Sequence, residues 1–423
     1  MGNPMKYKDT IVYPSRPASV KRNQVRGRRT RLVNLSIGAF VYYLAFGLYI
    51  TSNFFYGTTF ESILGLSVDD FGDVLHVVII ALLFFKFILQ KVSLRGWVLA
   101  AAVVLVGYIS WCRSDQGFLF WVALFVVCSE GIDIKILAGI TLAVSGTLLL
   151  FTEICVGAGL IENRISVRDG VARYAMGFLH PNNFSMQLLL LCTAVSVLNF
   201  GHSPLLILPI AIATALVSNY ITNSRTIIGL CIFLVAMLYV FYLAKEGQTR
   251  RKLSILFFAI SVSIIIFSLY MMVNFSDSNT LLIAIDGALS RRLHWAHAYY
   301  QLQPLTLFGS SFGNATPIYW DNGMPSSFIV DNAYVHLVLR FGIIPSVVFL
   351  SGYFALWVRL ISRGAWDYVL FGIFLMTIYG FTEVAGIQID CNYFLIAIGP
   401  ELIFSQRHRK RIDVARKGVI DKV

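Results

Sequence analysis

Residues 226–244 read TIIGLCIFLVAMLYVFYLA, nineteen residues without a charge, preceded by Ser224-Arg225 and followed by Lys245-Glu246. As a helix rising about 1.5 Å per residue, this run covers about 28 Å, close to the roughly 30 Å hydrocarbon core of a bilayer. Comparable runs recur along the chain at 32–52, 74–90, 96–112, 116–130, 134–155, 184–200, 204–220, 253–273, 333–358, 366–385 and 389–405. The chain of 423 residues is 57% hydrophobic and only 13% charged, with a mean hydropathy of +0.73. A soluble domain carries about 25% charge to solvate its surface, so the apolar runs belong in a membrane. Short segments alternating at period two are missing, which excludes an outer-membrane barrel. The pattern predicts an all-α fold, a polytopic helical bundle of about twelve spans filling residues 32–405. The long run 333–358 should kink at Pro345.

Lysine and arginine set the orientation, because they accumulate on the cytoplasmic side. Residues 1–31 hold nine of them against the single acid Asp9, and the tail beyond Phe404 holds seven. With Lys245–Lys252 and with Lys91, Arg95, Lys135, Arg359 and Arg363, one side collects 25 of the 34 basic residues. That tally predicts both termini inside, with 1–31 a basic cytoplasmic arm and 406–423 a basic cytoplasmic tail. The net charge of +12 is then a consequence of topology, and no nucleic-acid partner is expected. The first apolar run is too long for a signal peptide and lacks a small-residue cleavage site, so it reads as an uncleaved helix. Six cysteines lie in or near the spans without a CxxC pair and read as free packing residues. No metal-ligand spacing and no phosphate-cradling glycine loop occurs, so no metal and no cofactor is expected.

Chemistry should concentrate in the two long outward segments, 156–183 and 274–332. The outward cations are Arg113, Arg164, Arg168, Arg173, Arg225, Arg291 and Arg292, all arginine, although the inner side uses lysine freely. Headgroup contact would explain some of them. A set made only of rigid guanidinium forks also suits a phosphorylated ligand. Three of them crowd the segment NRISVRDGVARYAMGFLHPNN (163–183), beside His180. There the turn His180-Pro181-Asn182-Asn183 should cap the next helix through an asparagine side chain. The run Leu289–Leu302 reads as an amphipathic helix at the interface, anchored by Trp295, Tyr299 and Tyr300. Gly309 and Gly313 read as a flexible turn able to approach a substrate. Asp331 and Asn332 mark the start of the tenth span, where Asp331 alone would serve as an N-cap. His336 and Arg340 lie inward on that span, with Glu383 and Asp390 as their expected partners.

The order of these motifs is familiar. Ser224-Arg225-Thr226 opening a span, Ser290-Arg291-Arg292-Leu293 with aromatics, Leu307-Phe308-Gly309 and Asp331-Asn332-Ala333-Tyr334 resemble the bacterial O-antigen and capsular polysaccharide polymerases of the Wzy type. Gly177-Phe178-Leu179-His180-Pro181-Asn182-Asn183 after an arginine-rich loop is similar to capsular members of that group. The resemblance covers about residues 150–360. O-antigen ligases of the same superfamily carry His-Asn or His-Ser, nine residues, then Gly-x-x-Gly. Here nine residues separate Asn332 from Gly342, but Asp331 replaces the histidine and Pro345 the second glycine, which favours a polymerase.

What the resemblance implies is metal-independent glycosyl transfer on the outer face of the bacterial cytoplasmic membrane. Its substrates would be undecaprenyl-pyrophosphate-linked oligosaccharides, surrounded by membrane lipid, with a flippase and a chain-length regulator of the same pathway as partners. The cations would stabilise the leaving pyrophosphate, led by Arg225 and Arg292. Asp331 would be the base, with His180 and then His294 behind it. Arg168, Arg173, Arg291, Trp295, Asn332 and Tyr334 complete the expected binding surface. A lipid-linked oligosaccharide flippase and a secondary transporter are the competing readings, and the 59-residue outer segment 274–332 fits neither well.

Overall fold

The computed structural model describes residues 36–90, 92–168, 170–276, 278–311, 318–321, 324–327 and 330–403. The expected arm 1–31 and tail 406–423 lie outside these residues, as do Lys91, Asp169 and Gly313. The described chain is mostly helical. Eight helices are long and apolar enough to cross a membrane: α1 (Ile37–Tyr56), α2 (Val68–Leu89), α3 (Leu94–Ser114), α5 (Ile134–Gly157), α6 (Pro181–Leu198), α8 (Arg225–Leu243), α9 (Gly247–Asn274) and α13 (Ile343–Ser362). Shorter helices are α4 (Phe118–Val127), α7 (Leu208–Tyr220), α10 (Thr280–Ala288), α11 (Arg292–Leu302), α12 (Ala333–Phe341) and α14 (Tyr368–Gly380). Four of the twelve expected spans therefore correspond to shorter apolar helical segments, 118–127, 204–220, 368–380 and 393–403. A 10-residue helix such as α4 rises only about 15 Å.

The fold is not purely helical. Three antiparallel hairpins interrupt it: β1 (Ser62–Ile63) with β2 (Leu66–Ser67), β3 (Ile165–Arg168) with β4 (Val171–Tyr174), and β5 (Ile318–Asp321) with β6 (Met324–Ser327). Each sits in a connection between helices, and those of β1–β2 and β3–β4 meet through a Thr58–Phe178 bridge at the end of the bundle here called the hairpin end. Residues 247–252, expected in a loop, form the first turns of α9 instead.

Local sequence explains the helix starts. Ser67, Ser93, Asp133, Asn279, Asn332 and Asp367 each accept a backbone N–H of the first turn, satisfying donors that the helix leaves open. Packing explains the faces. On α9 the residues Ser254, Ser261 and Ser268 repeat every seven positions on the buried side, and each hydroxyl returns to the carbonyl four residues back. Their polarity is thereby neutralised and their small volume admits close neighbours. Ser261 reaches Thr377 of α14, and Ser268 reaches Asn332. Leucine, isoleucine and tyrosine on the opposite face of α9 stay exposed, as a lipid-facing side requires. The main core gathers aromatic rings from several helices, with Tyr42, Phe46, Tyr49 and Phe125 in edge and tilted contacts.

The expected tenth span breaks, at Gly342 rather than Pro345. Gly342 adopts φ +91° and separates α12 from α13. A Cβ there would lie 2.2 Å from Gly309 N, and one on Gly309 would lie 2.4 Å from Arg340 O. Two backbones therefore meet with no side chain between them. The amides of Ile343 and Ile344 donate to the carbonyls of Thr306 and Leu307, and Ser310 N donates to Arg340 O. This strap satisfies the polar groups exposed by the break. Gly309 thus approaches the chain's own helix ends, not a substrate.

Candidate functional site

The hairpin end brings together side chains from six segments. The first is the β3–β4 hairpin. It packs on the α7–α8 connection, where Tyr174 N donates to Ile221 O. Arg173, 5% exposed, donates from Nε to Thr222 O and from Nη2 to Asn182 Oδ1, both at 2.6 Å. Arg168 donates to Asn223 O. The two guanidiniums thereby hold the loop that leads into Ser224-Arg225-Thr226.

The N-terminus of α6 comes next. Its cap is His180 itself, whose Nδ1 accepts the Asn182 N–H, with Pro181 opening the helix. The expected asparagine cap is absent because Asn182 Oδ1 is already taken by Arg173. Burial first, then Arg173 and Arg168, lower the His180 pKa to about 4. The imidazole is therefore neutral near pH 7, as an acceptor must be. Arg173 is itself lowered to about 10, by burial first and then by Arg168.

The turn between α10 and α11 places Arg292. Ser290 and Arg291 take positive φ, 58° and 63°, and the buried Asp286 accepts the amides of Leu293 and His294 through Oδ1. This cap from a neighbouring helix fixes the first turn of α11. Arg292 faces inward, while Arg291 is exposed on the helix cap.

Arg292 is the centre of the cluster. Its Nη2 lies 2.8 Å from Glu383 Oε1, its Nε lies 3.4 Å from Asp331 Oδ2, and its Nη1 donates to Thr226 Oγ1 at 3.3 Å. The Arg292 side chain is 10% exposed, against 29% for Asp331 and 19% for Glu383. One guanidinium is thus bracketed by two carboxylates. Glu383 stands beyond the end of α14, and burial first, then Asp331, raises its pKa to about 8 against the opposing pull of Arg292 and Arg173. Asp331 is also raised, by burial, with Arg292 opposing. Arg225 is exposed at the first residue of α8, next to the Thr226 contact.

The expected site residues therefore divide. Arg168, Arg173, His180, Arg292 and Asp331 converge, with Arg225 on the rim. Asn332 is committed to structure. Its Oδ1 accepts the amides of Tyr334 and Val335, and its Nδ2 donates to Ser268 Oγ and Phe381 O. Asn332, not Asp331, is thus the cap of α12, which leaves Asp331 to Arg292. Tyr334 donates its hydroxyl to Thr377 O in the core. His294 and Trp295 pack in a ring group with Phe275. The expected pairing of Glu383 and Asp390 with His336 and Arg340 fails: Glu383 belongs to Arg292, and the ring of His336 meets Gln116 Oε1 at 2.8 Å. Glu383 is the residue that sequence reasoning misassigned. Its position at the end of an apolar run was the available signal, and only the fold supplied the partner.

With four arginines around two carboxylates, the cluster carries a positive excess suited to an anionic group with several oxygens. The fold and this cluster define a mostly helical protein with several membrane-length helices and a cationic, carboxylate-bearing cluster of side chains at one end. Comparison with protein-family models, with curated proteins and with solved structures finds no match to this chain.

Proposed function

We propose that this chain is a polysaccharide polymerase of the cytoplasmic membrane, joining undecaprenyl-pyrophosphate-linked oligosaccharide repeat units by metal-independent glycosyl transfer. In this reading the twelve helical segments cross or enter the bilayer with both termini inside, and the hairpin end faces outward. The observation that carries it is Arg292 held between Asp331 and Glu383 among Arg168, Arg173 and Arg225. The motif resemblance singles out Arg292 and Asp331, which pair, and Arg225, whose neighbour Thr226 accepts a hydrogen bond from Arg292.

The chemistry follows from the groups present. An acceptor sugar hydroxyl gives its proton to the Asp331 carboxylate, and its oxygen bonds to the anomeric carbon of the donor. The bond from that carbon to the pyrophosphate breaks, and the electron pair leaves with the phosphate. Arg168 and Arg173, held in place by backbone carbonyls, stand beside Arg292, and their combined positive charge stabilises the leaving phosphate more in the transition state than in the bound substrate. A neutral His180 adds a polar contact at the edge.

Glycan laddering in cells tests this. Arg292→Ala, Arg225→Ala and Asp331→Asn, each at normal protein level, should abolish the ladder while single repeat units still reach the surface. Transfer of finished glycan to a different acceptor would make the chain a ligase of the same superfamily. Loss of even single units would make it a flippase.

A further inference from the structure

We infer that the Arg292–Asp331–Glu383 cluster is a proton-coupled anion latch, in which an arriving pyrophosphate displaces Glu383 from Arg292 and Glu383 takes a proton from solvent as it lets go. The inference rests on the reading of this site as a pyrophosphate site, and adds how the site is closed when empty.

The geometry sets up an exchange. The best Arg292 donor, Nη2, is spent on Glu383 at 2.8 Å, a charge-assisted contact with both groups largely buried. The second carboxylate, Asp331, sits on the same guanidinium at 3.4 Å. A phosphate oxygen can therefore gain Nη2 only if Glu383 withdraws. Once withdrawn, an ionised Glu383 would stand buried beside two further negative groups, Asp331 and the ligand. Groups facing Glu383 from the packed segments are Arg292 on α11, Asp331 before α12, Arg173 on β4 and Tyr379 on α14. Of these, Arg173 has its Nε and Nη2 committed to Thr222 and Asn182. Protonation removes that charge, and it costs little because burial and then Asp331 already raise the Glu383 pKa.

The proton balance is explicit. Above about pH 8, where Glu383 is ionised before binding, one proton moves from the buffer to a Glu383 carboxylate oxygen, the Arg292–Glu383 ion pair opens, and the Arg292 Nη2–H donates to a phosphate oxygen instead. No covalent bond changes. Because the bound anion raises the Glu383 pKa above its free-site value, affinity is full at lower pH and falls as pH rises above about 8. The limit for one linked proton is about tenfold in affinity per pH unit.

Calorimetry of the full-length protein in detergent tests the latch, with geranyl pyrophosphate as ligand between pH 8 and 9.5, where its phosphates are already ionised. Titrations in buffers of different ionisation enthalpy should show uptake of up to one proton by the wild type, and affinity falling several-fold per pH unit. Glu383→Gln should bind without uptake and with affinity flat across that range, while Arg292→Ala should bind poorly at every pH. Binding that depends on Arg292 but takes up no proton would overturn the latch and leave the site reading standing. Absence of wild-type binding would overturn both. The wild-type proton count needs no variant, so the test survives if Glu383→Gln misfolds.

Discussion

Lys86 and Arg292 are buried cations at opposite ends of the same bundle, and they are used in opposite ways. Lys86 of α2 is 5% exposed and donates from Nζ to Glu130 O at 2.8 Å, while Gln90 beside it donates to Val127 O. These side chains close the C-terminal turn of α4, whose last carbonyls would otherwise face an apolar interior. The Glu130 carboxylate also attracts Lys86, but the contact at 2.8 Å is to a backbone carbonyl, which has no proton to exchange. Arg292 serves two carboxylates, each of which can change charge. The difference separates a cation that completes the fold from one that can exchange partners.

Substitutions can sharpen this contrast. The largest effect is expected for Arg292→Ala, which strands two part-buried carboxylates, 29% and 19% exposed. The cost should be about 2–4 kcal/mol, between an exposed and a fully buried pair, seen as a lower thermal midpoint in detergent, together with loss of the glycan ladder. A smaller cost, about 1–3 kcal/mol for the unsatisfied Glu130 carbonyl, is expected for Lys86→Met, with the ladder intact. A ladder lost with Lys86→Met at normal protein level would erase the distinction between the two ends. The smallest effect concerns His180. Its folded pKa, about 4, lies below the ordinary value of 6.5, so protonation favours unfolding. Stability it contributes is present above about pH 6.5 and is lost as pH falls towards 4. His180→Asn, which can still cap α6, should flatten the acid limb of a midpoint-versus-pH curve. An unchanged curve would show that His180 carries no such linkage.

Most of the helical architecture was legible because each long apolar run records its own burial, as 226–244 does. The breaks were harder to read. Gly342 ends α12 because Gly309, thirty-three positions away, needs the space, and no local pattern encodes that meeting. The short helices α4 and α14 read as full spans because hydropathy reports polarity and not where a helix stops. At the site, arginine clustering pointed to Arg168, Arg173 and Arg292, since buried or bracketed guanidiniums are rare without a purpose. Arg291 and Arg292 were indistinguishable until the left-handed turn at 290–291 and the Asp286 cap turned one inward. Asp331 was read as a helix cap as well as a base, and Asn332 as binding surface; either residue can cap a helix, and the Ser268 partner on α9 commits Asn332 to that part.

The glycine strap has a consequence for α12. Ser310 N is tied to the carbonyl of Arg340 at the end of that helix, while Asn332 caps its beginning and reaches Ser268 and Phe381. A 9-residue helix is too short to persist on its own turns, so α12 is pinned from outside at both ends. That double anchorage holds Asp331, one residue before the cap, at a fixed height against Arg292.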